Sequence, residues 1–321
     1  VENNIILNNI SKTYNKGSVT AVDKISLQVN NGELFGLIGP DGAGKTTLFR
    51  ILTTLLLADA GEATVGGYDV VKDYRQIRSS IGYMPGRFSL YQDLTVKENL
   101  SFFATLFGTT IEENYDLIKD IYDQIKPFND RRAGNLSGGM KQKLALSCAL
   151  VHKPRILFLD EPTTGVDAVS RREFWEMLKK LKKQGITILV STPYMDEAML
   201  CERIALIQKG RIMGVDTPGN ILKSYPVTLY GARSENIYHL LKDLRDYPAV
   251  ESCFPFGGWL HVTMKDREAD GIAVLSEYAK SKGHSSVEIE IIPPTIEDSF
   301  IRLMTEQPTV PDIAQQPVTN V

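Results

Sequence analysis

The period of the apolar residues changes along this chain, and the changes lay out its elements. Residues 5–10 (Ile-Ile-Leu-Asn-Asn-Ile) and 25–29 (Ile-Ser-Leu-Gln-Val) alternate in part, which predicts short strands, with a turn at Asn30-Asn31-Gly32-Glu33. A small, partly antiparallel sheet then leads into the apolar run 34–38. Another short strand is bracketed by Asp59-Ala60-Gly61-Glu62 and Gly66-Gly67. Helical spacing covers 47–57 and 116–125. A further helix starts at Ser137, whose hydroxyl can cap it, and carries Leu144, Leu146, Ala149 and Leu150 on a mostly apolar face. Residues 156–159 are almost wholly apolar, the mark of a strand covered on both faces. A charged amphipathic helix at 171–183, closed by Gly185, is followed by a buried strand at 186–190. Strands alternating with helices in this way predict a mostly parallel α/β core.

The composition shifts at Pro218-Gly219, so the first domain is expected at 1–219. Beyond it the pattern predicts strands at 226–230, 259–264 and 287–291 and helices at 234–245, 268–281 and 295–305, a small accessory α/β domain over 225–305. Pro308, Pro311 and Pro317 among polar residues mark 306–321 as a linker or disordered tail. A chain of 321 residues suits one such division. The net charge of −3 gives no polyanion-binding surface, so nucleic acid is not expected as a partner. Cys148, Cys201 and Cys253 lack metal-ligand spacing and read as reduced, buried residues of a cytosolic protein. The sequence contains neither an apolar run of membrane-spanning length (about 18 residues or more) nor a secretion signal at its start, so the polypeptide is not expected to cross a bilayer.

The chemistry is concentrated in two places. Gly39-Pro40-Asp41-Gly42-Ala43-Gly44-Lys45-Thr46 fits the phosphate-binding pattern G-x-x-x-x-G-K-[ST], between an apolar run and a helical stretch. Backbone amides of such a loop point at phosphate oxygens, and the following helix adds the positive end of its dipole. Lys45 would reach the β/γ-phosphates and Thr46 would offer a hydroxyl to Mg²⁺. Asp160 and Glu161 directly follow the buried run 156–159, where open α/β sheets bind ligands. There Asp160 is placed to hold Mg²⁺ and Glu161 to act as general base. The turn Ser137-Gly138-Gly139 at a helix start offers a second anion site, which one nucleotide in a single monomer does not need.

With these motifs the chain resembles the nucleotide-binding domain of an ABC transporter over about residues 3–218. The resemblance implies a P-loop NTPase of the ABC ATPase type, with a helical subdomain at about 87–150 and bound ATP and Mg²⁺. Residues 136–142 then correspond to the signature motif, Asp160 and Glu161 to the magnesium aspartate and catalytic glutamate, and Gly165-Val166-Asp167 to the D-loop. Tyr14 resembles the aromatic that stacks on adenine, and the nucleotide contacts run from Gly39 through Thr47. Ile81-Gly82-Tyr83-Met84-Pro85, Leu94-Thr95-Val96-Lys97-Glu98-Asn99-Leu100 and the Pro294 to Phe300 pattern are similar to multidrug exporters of the ABC-2 class. The partners so implied are a second nucleotide-binding domain and membrane permease subunits, with the chain peripheral on the cytoplasmic face of the inner or plasma membrane.

Two positions depart from that family. Gly86 replaces a glutamine that touches Mg²⁺ and the attacking water, and Pro193 replaces a histidine that contacts the γ-phosphate. Loss of one positioned donor costs on the order of 3 kcal/mol, or ~10² in rate. The domain is therefore expected to bind ATP but hydrolyse it slowly, while its intact Ser137 turn serves a non-identical partner, encoded separately or beyond residue 321. Alternatives are a soluble ABC-type ATPase without a permease and a non-catalytic nucleotide-binding module. The aromatic and apolar stretch Arg87-Phe88-Ser89-Leu90-Tyr91-Gln92-Asp93, suited to receiving a coupling helix, favours transport. Phe102, Phe103, Phe107 and Trp175 read as packing residues, His152 as a helix cap or surface residue, and Trp259 and His261 as residues without a partner pattern.

Overall fold

The computed structural model describes residues 3–266 and 270–306. Two compact units divide the chain, one built on the residues up to Gly219 and from Leu303, the other on Asn220–Arg302. The first unit begins with β1 (Asn3–Tyr14), β2 (Val19–Asn30), β3 (Leu34–Ile38), α1 (Lys45–Leu52), β4 (Ala60–Val65), β5 (Tyr68–Asp69), α2 (Tyr74–Ser80) and β6 (Ile81–Met84). It continues through α3 (Val96–Leu106), α4 (Tyr115–Tyr122), α5 (Gly138–Leu150), β7 (Ile156–Asp160), α6 (Ala168–Lys183) and β8 (Thr187–Thr192). After these come β9 (Arg203–Gln208), β10 (Arg211–Asp216) and α7 (Pro218–Lys223), the helix in which the division falls.

A six-stranded sheet in the order β10-β9-β3-β8-β7-β6 forms the centre, parallel except for β10. Strands β3, β7 and β8 are buried at every position, which is why each carries a near-continuous apolar run, broken only by Asp160 at the end of β7 and by Thr187, Ser191 and Thr192 in β8. Helix α1 presents Leu48 and Phe49 to this sheet, and the Phe49 ring meets Phe158 edge-on at 6.0 Å. Side chains buried this completely contribute roughly 1.5–3 kcal/mol each. The same core takes Ile5, Leu7, Val22 and Leu27 from a four-stranded antiparallel sheet, β2-β1-β4-β5. Strands β1 and β2 run well past the alternating stretches of the sequence because irregularities in pairing absorb the misfit. Asn9 and Lys24 take left-handed backbone (φ 52° and 48°) beside the shift in register between Leu7 and Ile10.

Helix α6 starts on Asp167, whose Oδ1 accepts from the Val169 and Ser170 amides, and buries Trp175 and Leu178. Gly185, at φ 87°, supplies the left-handed turn that follows it. In α3, Thr95 and Glu98 form a reciprocal capping box, so the Thr-x-x-Glu of the sequence is a helix start.

The second unit contains β11 (Tyr230–Ser234), α8 (Ile237–Asp246), β12 (Val250–Phe256), β13 (Trp259–Met264), α9 (Gly271–Ser281), β14 (Val287–Ile291) and most of α10 (Ile296–Glu306). Its sheet, in the order β12-β13-β11-β14, is antiparallel throughout. Strand β13 and β14 fall where the sequence puts them. The strand expected at 226–230 instead lies at Tyr230–Ser234, where Gly231 lets Ile292 and Trp259 close over the backbone. Strand β12, which the sequence pattern does not predict, contains Pro255, and its edge position tolerates that residue. Of the expected helix at 268–281, residues 268 and 269 lie outside the described residues, as does the expected tail from 307. His261 has a partner after all: its Nδ1 lies 2.8 Å from Asp298 Oδ1, and Asp298 Oδ2 accepts from the Thr295 amide and hydroxyl. Burial would raise the Asp298 carboxyl, but the His261 and Thr295 hydrogen bonds outweigh it and hold the group below the ordinary value. No helix among the described residues is long and apolar enough to cross a membrane.

Candidate functional site

Four adjacent parallel strands, β3, β8, β7 and β6, end at one edge of the central sheet, and each delivers a segment singled out in the sequence. After β3 the chain turns through Gly39 to Gly44 into α1. A Cβ on Gly39 would sit 2.2 Å from the Ile207 carbonyl oxygen, and one on Gly44 2.2 Å from that of Ala21, so both glycines are required by contact. Gly42 and Gly44 have φ of 77° and 106°, the left-handed region open to glycine. Space stays open over Gly42. Gly44 occupies the cap position of α1 without a side-chain acceptor, which leaves the first amides of the helix to an incoming anion. Asp41 and Thr46 are exposed, and Pro40 and Thr47 are half-buried. Tyr14 reaches the same helix start, its hydroxyl 3.4 Å from Thr47 Oγ1.

Lys45 is buried, with Nζ donating to the Gly39 and Pro40 carbonyls at 2.8 and 2.9 Å and lying 3.0 Å from Glu161 Oε1. The carboxylate comes from the far side of β8, since Asp160 ends β7 in register with Ser191. Ser191 organises the acidic pair. Its hydroxyl donates to Asp160 Oδ1 at 2.6 Å, and the Glu161 amide donates to Ser191 Oγ at 3.0 Å. Glu161 adopts φ 50°, left-handed backbone that is uncommon for a residue with a Cβ. Such a conformation costs on the order of 1–3 kcal/mol and persists only where the surroundings impose it; the two bonds from its amide to Ser191 do so here.

Gly86 lies against the same pair: a Cβ there would come 3.1 Å from the Asp160 carbonyl oxygen and 3.8 Å from Glu161 Cβ. Pro193 directly follows β8, between the ends of β3 and β7. The phosphate loop, Tyr14, Asp160, Glu161, Gly86 and Pro193 are thus brought together. Tyr83, one strand over, is pushed up to about 12 by burial and then by the Asp160 charge.

Ser137, Gly138 and Gly139 form a second group on the first turn of α5. Ser137 Oγ accepts from the Met140 amide at 3.3 Å, and Ser137 and Gly138 are exposed. Gly139 packs so closely on α6 that a Cβ would meet Ser170 Oγ at 2.6 Å, and Gly138 faces the Gly165 carbonyl. The turn is therefore seated on the Gly165-Val166-Asp167 loop of its own chain and presents its outer edge to solvent.

Sequence reasoning missed a buried link behind this edge. Glu197 accepts from Thr163 at 2.8 Å and from Thr192 at 2.6 Å, and Arg171 approaches it at 3.9 Å. It joins the loop after β7 to the loop after β8, a pairing between distant segments that no local spacing announces. His152 also differs from expectation. Its ring stacks on Phe107 at 3.8 Å and its Nε2 lies 2.9 Å from the Ile81 carbonyl oxygen, so it is a packing residue.

A sequence profile described as ABC transporter matches residues 22–164. The doxorubicin resistance ATP-binding protein DrrA of Mycobacterium tuberculosis is 34% identical over 319 residues, covering 94% of this chain and 94% of that protein. The chain belongs to the ATP-binding proteins of the ABC transporter family. It is 37% identical over 304 residues to the probable multidrug ABC transporter ATP-binding protein YbhF of Escherichia coli, covering 94% of this chain but 52% of YbhF, and so spans about half the length of that relative. Among solved structures of the family, the dimeric cassette MJ0796 in a post-hydrolysis state, bound to ADP and Pi, is 26% identical with a TM-score of 0.60, covering 66% of this chain and 98% of that one.

ABC ATPases bind ATP with Mg²⁺ and hydrolyse it, and the donor set here fits that ion. Hard oxygen ligands are what Mg²⁺ takes, and the Asp160 carboxylate, held at Oδ1 by Ser191, ends β7 next to the strand beside the phosphate loop, while Thr46 is exposed at the helix start. Thr46 and Asp160 would hold the ion, whose chemistry is to neutralise charge on the phosphate oxygens.

Proposed function

We propose that this chain is the ATP-binding component of an ABC-2 class exporter whose own site binds ATP but turns it over slowly, while its Ser137 turn completes the site of a non-identical partner domain. The observation that carries this reading is the convergence of four strand ends in which two of the arriving positions, Gly86 and Pro193, bring no side-chain donor. Lys45, the amides of Gly39 to Thr47 and the Tyr14 ring supply binding. Glu161 is the general base, positioned by Ser191. The family's contacts to the attacking water and the γ-phosphate come from side chains at positions 86 and 193, where this chain has a glycine without a side chain and a proline that can donate no hydrogen bond from side chain or backbone. Binding is then retained and the chemical step slowed.

Export, rather than another use of ATP, is supported by similarity to the doxorubicin resistance protein DrrA and the probable multidrug transporter protein YbhF and by an apolar groove beside the site. Thr53, Leu55, Met84, Leu90, Phe103 and Phe107 line a space of about 280 Å³, with Tyr91, Phe102 and Leu106 exposed nearby. A short apolar helix of a permease fits such a surface, which would place the chain peripherally on the cytoplasmic face of the membrane. We assign residues 1–219 to the ATP-binding domain, with the helical signature subdomain at about 87–150, and 225–305 to an accessory domain. The half-length match to YbhF fits a partner domain on the same natural polypeptide, and the match along 94% of DrrA fits a partner encoded separately.

The test is steady-state phosphate release by this chain against the double variant Gly86→Gln, Pro193→His. We expect slow turnover by the wild type and a gain of ~10² or more in the variant at similar ATP affinity. Equal rates for the two would overturn the reading.

A further inference from the structure

The second unit carries a three-residue cluster unrelated to the nucleotide site. His239 and Asp243 stand one turn apart on α8, on the same face of the helix. His284 is brought to them by the turn after α9, where Gly283 takes φ 87° and the His284 amide closes on the Ala279 carbonyl at 3.2 Å. Asp243 Oδ2 lies 2.8 Å from His284 Nε2 and 3.6 Å from His239 Nε2, and the two imidazole centroids are 4.9 Å apart. One donor atom from each residue falls within 4.8 Å of the other two. A hydrogen bond accounts for the shorter approach. The longer one lies outside hydrogen-bond range, so a second imidazole nitrogen faces the same carboxylate oxygen without bonding to it.

From this we propose that His239, Asp243 and His284 form a binding site for a divalent transition-metal ion of the Zn²⁺ type. Bond lengths of about 2.0–2.2 Å to nitrogen and oxygen put neighbouring ligands of a tetrahedral ion roughly 3.3 Å apart. Small side-chain rotations of the three residues reach that spacing, with His239 exposed and free to move and His284 buried and fixed. Two neutral imidazoles and one carboxylate suit Zn²⁺, Co²⁺ or Ni²⁺ and not Mg²⁺, which prefers an all-oxygen shell. Three protein ligands leave a coordination position for water, and the exposed side of His239 gives an entry path. Thiols do not compete, because Cys148, Cys201 and Cys253 are all buried. The ion would pin α8 to the segment between α9 and β14.

The full chain, treated with chelator and dialysed, is titrated with Co²⁺ in the presence of excess Mg²⁺, which fills hard oxygen sites. We expect one equivalent of Co²⁺ with intense visible d–d absorption of four-coordinate N/O ligation, displaced by Zn²⁺. His239→Ala, at an exposed position where folding is undisturbed, should weaken binding at least about tenfold, and Asp243→Asn should do likewise. Zn²⁺ should raise the unfolding temperature of the wild type and not of His239→Ala. Absence of the cobalt spectrum, or equal affinity in wild type and His239→Ala, would overturn the assignment.

Discussion

Lys45 Nζ lies 3.0 Å from Glu161 Oε1, a contact made across the end of the strand that separates them in the sheet. Phosphate oxygens arriving over the loop compete with that carboxylate for the same ammonium. Removing the negative charge should therefore help the nucleotide while removing the proposed base. Glu161→Gln is expected to bind ATP as tightly as the wild type or more so in a calorimetric titration, and to release phosphate ~10²–10⁴ more slowly. Weakened ATP binding in this variant would contradict the geometry.

The glycines of the loop are needed for different reasons, and alanine separates them. At Gly42 only the left-handed backbone is at stake, so Gly42→Ala should cost about 1–2 kcal/mol of stability. At Gly44 the same strain is joined by a clash with the Ala21 carbonyl. Gly44→Ala should lower the urea midpoint by clearly more than Gly42→Ala, and equal midpoints would show that the Ala21 contact is unimportant.

Glu197 holds two threonine hydroxyls, one from the loop after β7 and one from the end of β8, and is itself buried. Glu197→Ala leaves both hydroxyls without their acceptor, at a cost of about 1–3 kcal/mol for each unsatisfied group. Glu197→Gln can accept from one threonine and donate to the other, so it should recover most of the loss in denaturant unfolding. If alanine and glutamine behave alike, the hydroxyls are not the source of the effect.

Acid should find the His152 stack. Burial holds the imidazole below its ordinary value of 6.5, against a smaller opposing effect of the bond to the Ile81 carbonyl. The folded chain thus resists a proton that the unfolded chain accepts, so stability is fully present above about pH 6.5 and declines as the pH falls below it. The slope of unfolding free energy between pH 7 and 5 should flatten in His152→Phe, which keeps a ring on Phe107. An unchanged slope would assign the acid sensitivity elsewhere.

What the sequence makes legible follows from how local each signal is. The phosphate loop, the acidic pair after β7 and the Ser137 turn each lie within one short segment, and the apolar runs of β3, β7 and β8 show their burial directly. The arrangement that Ser191 and Glu197 impose is invisible there, because each joins residues about 30 positions apart through hydrogen bonds made only once β7 and β8 pair. In the second unit, β12 hid behind Pro255 because a sequence does not say which strand will be an edge. The His239, Asp243 and His284 group was equally hidden, since 41 residues separate its last two members.

Strand β8 sits between the two strands that bring Lys45 and Glu161, and this gives position 193 an influence out of proportion to its size. Neighbouring strands are about 4.8 Å apart, so a side chain leaving the middle strand has both chemical partners within one side-chain length. A ring locked back onto its own backbone reaches neither. In the proposed reading the site is thereby a holder of its nucleotide, and position 193, together with Gly86, is where a change would make it a consumer.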